Sequence, residues 1–423
     1  MRRVEKMGKP GITLESVKNN NKSEILKMLQ KNGSMSRKDI AACMGLTPAA
    51  VTMLCNAMIE ENIIVEKGEI QEEKRAGRRK VLVDINYDFK FIVSVSIETI
   101  YTWITVNNIR GSKITGVKIK TDATISPEIF LESITKEIKI LLWEQEIKIS
   151  DILGVGVCIP GIVNRSQGVS IHVYGIWKEE VKVKDILGQY IQCPIVVENN
   201  VKAFAEGEML YGVGKTGDNM LFIKWGPGVG SAIVIGNELY EGLHHNAAEI
   251  GHYIVEPNGL ECRCGRRGCL ETRVSVDAIA KRIQQEFSKE NTPLLYKLIG
   301  GDVKKVTREL IIEWVESVEA DNYLNHMDPA VAEIISGAVE RIARVAVNTM
   351  TILAPDHTIL FGPMLENDQI YKLFMEFCRK YDRHYTDEYI HQSELSKKIT
   401  YIGGTALVAR NCFFENGGAV KKE

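Results

Sequence analysis

The chain is 423 residues long, 45% hydrophobic and 26% charged, with a net charge of −2. These proportions exclude a disordered or fibrous chain and suit two or three globular domains, each with its own core. No apolar run reaches the roughly 18 residues a membrane helix needs. No signal-peptide core opens the chain either, so a cytoplasmic, nucleoid-associated protein without a membrane partner is expected.

The near-neutral total hides an asymmetry. Residues 1–80 carry 16 Lys and Arg against 10 Asp and Glu, a net of +6, which leaves −8 for the remainder. A basic front on an acidic body points to a nucleic-acid partner for the front alone.

The first predicted element is a helix over residues 20–29, with Ile25, Leu26, Met28 and Leu29 on one face. Ser36 precedes a second, R-K-D-I-A-A-C-M, and Asp39 completes a capping-box variant. Gly45 ends that helix, and Thr47 with Pro48 starts a third as N-cap and first-turn proline. Val51, Leu54, Met58 and Ile59 of the third helix face a core, which leaves Ala49, Ala50, Thr52, Met53 and Asn56 outward.

Two helices joined by a tight glycine turn form helix-turn-helix geometry, and small leading residues admit the second helix to base edges in the major groove. Residues 63–65 and 80–85 alternate as short strands around E-K-R-A-G-R-R-K. That run reads as a wing whose Arg78, Arg79 and Lys80 reach phosphates. A winged helix-turn-helix domain over residues 1–86 is therefore expected to bind operator DNA. Its contacts would be Ser36, Arg37, Thr47, Ala49, Ala50, Thr52, Met53, Asn56, Arg78 and Arg79. A helical hairpin packed on the rest of the protein is the alternative.

From Phe89 onward strands and helices alternate. Residues 91–97, 101–106 and 114–120 read as a strand meander, followed by a helix over 129–143. A buried strand over 152–159 runs into a Pro160-Gly161 loop, and P-I-V-V-E-N-N leads into a helix over 201–210. Residues 220–235 form a hairpin around the turn G-P-G-V-G at 226–230. Helices dominate from Val276 to Asn348, and T-I-L-F-G-P supplies a late strand. The pattern is α/β, in two related halves.

One stretch carries more chemistry than any other: H-Y-I-V-E-P-N-G-L-E-C-R-C-G-R-R-G-C-L-E, from His252 to Glu271. Cys262, Cys264 and Cys269, with His252 ten residues ahead, form a Cys₃His set for tetrahedral zinc. Gly265 and Gly268 leave the backbone free to wrap the thiolates around one ion. The other six cysteines are scattered, so four ordinary buried residues are the weaker reading. With no position spared for water, the zinc is structural. Glu249 and Glu271 flank the set as acceptors for hydroxyl groups.

The motifs E-I-G-H, C-R-C-G-R-R-G-C-L-E, P-G-I-V, E-N-N and G-P-G-V-G together resemble the ROK family, which unites sugar kinases with sugar-responsive repressors. The resemblance covers essentially the whole chain, since the repressor branch carries a winged helix in front. It implies two actin-like (ribonuclease-H-like) lobes, 87–200 and 201–423, the second holding the zinc-binding segment 249–271 and the C-terminal helices. Asn199, Glu249, His252 and Glu271 match the family's sugar-contacting positions. A homodimer is implied as well, with a tetramer as the alternative.

Two departures from the kinases stand out. Asn200 replaces the aspartate that serves them as general base, and an amide has no basic site near neutral pH. Their opening phosphate motif D-x-G-G-T is S-I-E-T-I here, from Ser96 to Ile100, which sets Glu98 where phosphate would approach. The expectation is a sugar-sensing repressor without catalytic residues. The alternatives are an active sugar kinase that also binds DNA, or a repressor relieved by a protein partner or phosphosugar.

Overall fold

The computed structural model describes residues 13–70, 80–173, 175–317 and 327–418. The first helix, α1 (Leu14–Asn32), starts well before residue 20, because Thr13 and Ser16 cap each other's backbone N–H groups. After the two-residue strand β1 (Met35–Ser36) come α2 (Arg37–Met44) and α3 (Pro48–Glu60), each beginning at the cap the sequence marks. Gly45 closes α2 in the left-handed conformation. Strands β2 (Ile64–Ile70) and β3 (Lys80–Ile85) pair antiparallel as the wing, in a sheet of order β1-β3-β2. Arg78 and Arg79 lie outside the described residues.

The body holds two five-stranded sheets of one topology. In the first, β4 (Phe91–Ile97), β5 (Tyr101–Asn108) and β6 (Lys113–Lys120) run antiparallel. After α4 (Pro127–Glu144), β7 (Ile152–Ile159) returns parallel to β4. The small hairpin β8 (Ile162–Asn164) and β9 (Val169–His172) and the helix α5 (Val183–Gly188) precede β10 (Ile195–Asn199), parallel to β7. The helix α6 (Asn200–Tyr211) then leads to the second sheet.

There β11 (Met220–Trp225), β12 (Val229–Ile235) and β13 (Glu238–Leu239) are antiparallel. Strand β14 (His357–Phe361) is parallel to β11, and β15 (Ile390–Gln392) to β14. Three antiparallel strands followed by two parallel ones thus occur twice, which makes the two halves structural repeats. Helices Val276–Glu286, Pro329–Leu353 and Asp368–Tyr381 build the core of the second half.

The chain end departs from the expected division. Residues 402–414, expected within the second lobe, pack instead on β7 and β4 of the first sheet as the helix Ile402–Val408 and its continuation. The approach is close: a Cβ at Gly156 of β7 would stand 2.0 Å from the carbonyl oxygen of Gly404. The π-helical turn Ala409–Phe414 that follows carries Phe413 and Phe414 into the core of the winged helix, beside Ile25, Leu29, Val51 and Ile63. A helix with two apolar faces cannot show this destination in its periodicity. Among the described residues no single helix is long and apolar enough to cross a membrane.

Candidate functional site

On the winged helix, the outward face of α3 is assembled as its periodicity requires. Thr47, Ala49, Thr52, Met53 and Asn56 are exposed and Ala50 is half-buried. Met53 is 74% exposed, a large apolar side chain presented to solvent at the middle of this face. Three residues have local commitments. Ser36 is buried and serves only as the cap of α2, accepting from the Asp39 N–H at 3.2 Å and donating to its carboxylate at 2.6 Å. Its place among the expected DNA contacts is therefore corrected to a capping one. Arg37 donates through Nη2 to Glu66 at 2.8 Å and to Asn56 Oδ1 at 3.3 Å, which leaves the Asn56 amide N–H groups and Arg37 Nη1 outside these two contacts.

The Cys₃His residues come together. Their ligand atoms all lie within 4.8 Å of one another. Cys262 Sγ stands 3.5 Å from His252 Nδ1, and Cys264 Sγ stands 3.6 Å from Cys269 Sγ. Ligands about 2.3 Å from a tetrahedral centre are separated by roughly 3.5–3.8 Å, so the set fits zinc in its geometry and its chemistry. Burial lowers the pKa of His252, which favours the neutral ring a ligand needs. Gly268 turns the loop with φ +74°, and a Cβ there would meet the Glu256 carbonyl.

Because Nδ1 faces the thiols, Nε2 of His252 is left toward Glu249, 4.0 Å from its Oε2. Glu249 in turn lies in the field of Glu271 and of the buried Lys202. Burial is the largest influence on Glu249 and raises its pKa. Glu271 accepts from the Val229 N–H at 3.1 Å and pairs with Arg263 through contacts of 2.9 and 3.1 Å. Glu249, His252 and Glu271 thus share one wall. Asn199 stands at the opposite lobe as the N-cap of α6, its Oδ1 accepting from Val201 and Lys202 and its Nδ2 donating to the Gly161 carbonyl at 2.7 Å.

Three residues escaped the sequence reading. Lys202 sits one turn beyond Asn199 and donates to the His245 carbonyl at 2.9 Å. Arg263 reads as filler between two cysteines, yet it lies against Glu271. Glu198 is 1% exposed, with its nearest cation, Arg165 Nη1, at 3.6 Å. No periodic signal marks any of them: Lys202 and Glu198 act through partners 43 and 33 residues away, and Arg263 through a loop whose fold places it on Glu271. Burial pushes the Glu198 carboxyl up to about 7. The folded state therefore holds a proton there that the unfolded chain releases near its ordinary carboxylate range. Stability should fall as pH rises from about 4.5 to about 7, and Glu198→Gln should flatten that slope in urea unfolding series.

The sequence model of the ROK family matches residues 102–411. The chain belongs to the ROK family. A winged helix-turn-helix DNA-binding model matches residues 18–65 as well. The putative xylose repressor of Caldicellulosiruptor sp. (strain Rt8B.4) is 28% identical over 420 residues, covering 93% of this chain and 96% of that protein. The xylose repressor of Bacillus subtilis (strain 168) is 27% identical over 273 residues, 64% of this chain and 70% of that one. Among solved structures, a ROK family transcriptional regulator homologous to the Escherichia coli Mlc protein superposes with TM-score 0.77 at 22% identity, covering 95% of this chain and 97% of its own. This ROK chain therefore shares the fold of a ROK family transcriptional regulator over nearly its whole length.

Proposed function

We propose that this ROK protein is a sugar-responsive transcriptional repressor whose kinase chemistry has been lost. The observation that carries the reading is the union, in one chain, of a winged helix with a ROK body, similar over 93% of this chain to a putative xylose repressor. The outward face of α3 enters the major groove, and Arg78 and Arg79 of the wing bind phosphates. Arg79→Ala should weaken binding on every sequence and lower the slope of log affinity against log salt by about 1. An unchanged slope would remove Arg79 from the interface.

Asn199, Glu249, His252 and Glu271 hold a monosaccharide between the lobes. A zinc ion held by Cys262, Cys264, Cys269 and Nδ1 of His252 supplies a fixed crosslink, which leaves Nε2 toward the sugar. Closure on the sugar moves α6, whose first turn Asn199 caps. Farther along α6, Glu206 pairs with Arg410 of the chain end at 3.2 Å, within the turn whose Ala409, Phe413 and Phe414 enter the winged-helix core. The two recognition helices of a homodimer, matched to a palindromic operator, are thereby shifted. A coupling of about 1–3 kcal/mol changes operator affinity some 5–150-fold, enough to switch a promoter.

The loss of phosphoryl transfer is supported by Asn200, which cannot take a proton near neutral pH, and by Glu98 at the expected phosphate approach. Asn200→Asp alone should leave ADP formation with ATP, Mg²⁺ and a hexose panel at background. A gain of about 10²–10⁴ in rate would show that the missing base was the only lesion.

The test of the whole reading is fluorescence anisotropy of the protein on DNA from upstream of its own gene, titrated with D-xylose, other monosaccharides and their phosphates. Release by one free sugar is the expected result. Tight binding that no sugar disturbs would transfer the role of effector to a protein partner.

A further inference from the structure

The two departures from the kinase pattern lie far apart in sequence, yet they touch. Asn200 Nδ2 donates to Glu98 Oε1 at 2.7 Å. The same oxygen lies 3.5 Å from Lys224 Nζ. Glu98 stands just beyond β4 of the first lobe, Asn200 heads α6, and Lys224 lies on β11 of the second lobe. Both ends of the ion pair are mostly shielded, with side chains 33% and 19% exposed. One carboxylate thus joins the lobes at the end of the cleft where a kinase of this family holds its nucleotide.

The chemistry explains why the departures occur together. An aspartate at 200 would bring a second carboxylate within hydrogen-bonding distance of Glu98, and like charges so placed repel. A glycine at 98 would leave Lys224 without this partner. We propose that Glu98, Asn200 and Lys224 form an interlobe tie that does the bridging a nucleotide does in the kinases, so that lobe closure answers to the sugar end of the cleft alone. The tie is weak by design of its exposure: a partly exposed pair shifts an equilibrium only a few-fold. A few-fold bias keeps the lobes together while still allowing a ligand to reset them.

The inference rests on the two-lobed fold and needs neither DNA nor sugar for its test. Hydrogen exchange of the full chain, read by mass spectrometry over residues 198–208 and 220–230, reports the opening of the lobes on either side of the tie. Glu98→Gln and Lys224→Met should each speed exchange there by about two- to fivefold at low salt. Raising the salt should speed the wild type and leave Lys224→Met unchanged.

Asn200→Asp should open the cleft, and Asn200→Asp with Glu98→Gln should open it less than Asn200→Asp alone, since the repulsion is removed. The charge swap Glu98→Lys with Lys224→Glu should restore slow exchange. Wild-type exchange in both single variants would overturn the tie, and so would a swap that fails to recover, because the effect would then be local. Any of these failures leaves the sugar-responsive reading standing, whereas sugar-insensitive DNA binding with the tie intact would overturn only that reading.

Discussion

Replacing Cys262 with serine is expected to empty the metal site, loosen the 249–271 segment and abolish the effector response. The thiol is buried and faces His252 Nδ1 at 3.5 Å, so its loss removes one of four ligands and leaves the ring unanchored. A tetrahedral structural site with three ligands binds zinc far more weakly, and the binding free energy of such sites is folding free energy. Zinc content should fall from about one ion per chain to a small fraction, and the thermal midpoint should drop by on the order of 10 °C. Operator binding should survive, since the winged helix shares its core with the chain end and the first sheet and with no residue of the 249–271 segment.

Release by sugar should not survive. His252 Nε2 is 4.0 Å from Glu249, and Arg263, which pairs with Glu271, sits between two of the cysteines. Elemental analysis, melting curves and sugar titration of the DNA complex check the three parts. A variant that keeps a full sugar response after losing its zinc would show that the ion does not position the pocket.

Glu206→Gln is expected to be the most destabilising single change outside the zinc segment. Glu206 is 2% exposed and takes two guanidinium groups, Arg165 Nη1 at 2.7 Å and Arg410 Nη1 at 3.2 Å. Arg410 also reaches Glu238 of the second sheet at 2.7 Å and Glu415 at 2.9 Å. Removing the central charge strips one carboxylate from each guanidinium and leaves Arg165 to Glu198 and Arg410 to Glu238 and Glu415, so the cost falls below the roughly 3–5 kcal/mol of a fully stranded buried charge. Urea unfolding should show a lower midpoint at an unchanged slope.

Replacing the triad with apolar residues, Arg165→Met, Glu206→Leu and Arg410→Met together, should recover only part of that loss, because the buried Glu198 then loses Arg165, its nearest cation. The triple variant separates stability from signalling. It should bind operator and sugar, while the sugar no longer releases the DNA. If release persists, the path from α6 to the chain end does not run through this ion network.

The sequence by itself determined the local elements and the grouping of the Cys₃His residues. Thr47 and Pro48 start α3 and Gly45 ends α2, because caps and turns are satisfied within a few residues. The Cys₃His set was legible for the same reason: three of its four ligands lie within eight positions, on a loop whose glycines permit the turn. The repeated strand pattern was legible through its alternation.

Only the tertiary structure decided what depends on partners distant in the chain. Arg37 found Glu66, 29 residues on. The chain end returned to the first sheet and lent Phe413 and Phe414 to the winged helix. Lys202, Glu98 and Asn200 acquired their partners across 43 to 126 residues. Short-range hydrogen bonding fixes a helix end or a knuckle wherever it occurs, whereas a buried charge takes its meaning only from the group that folding places against it.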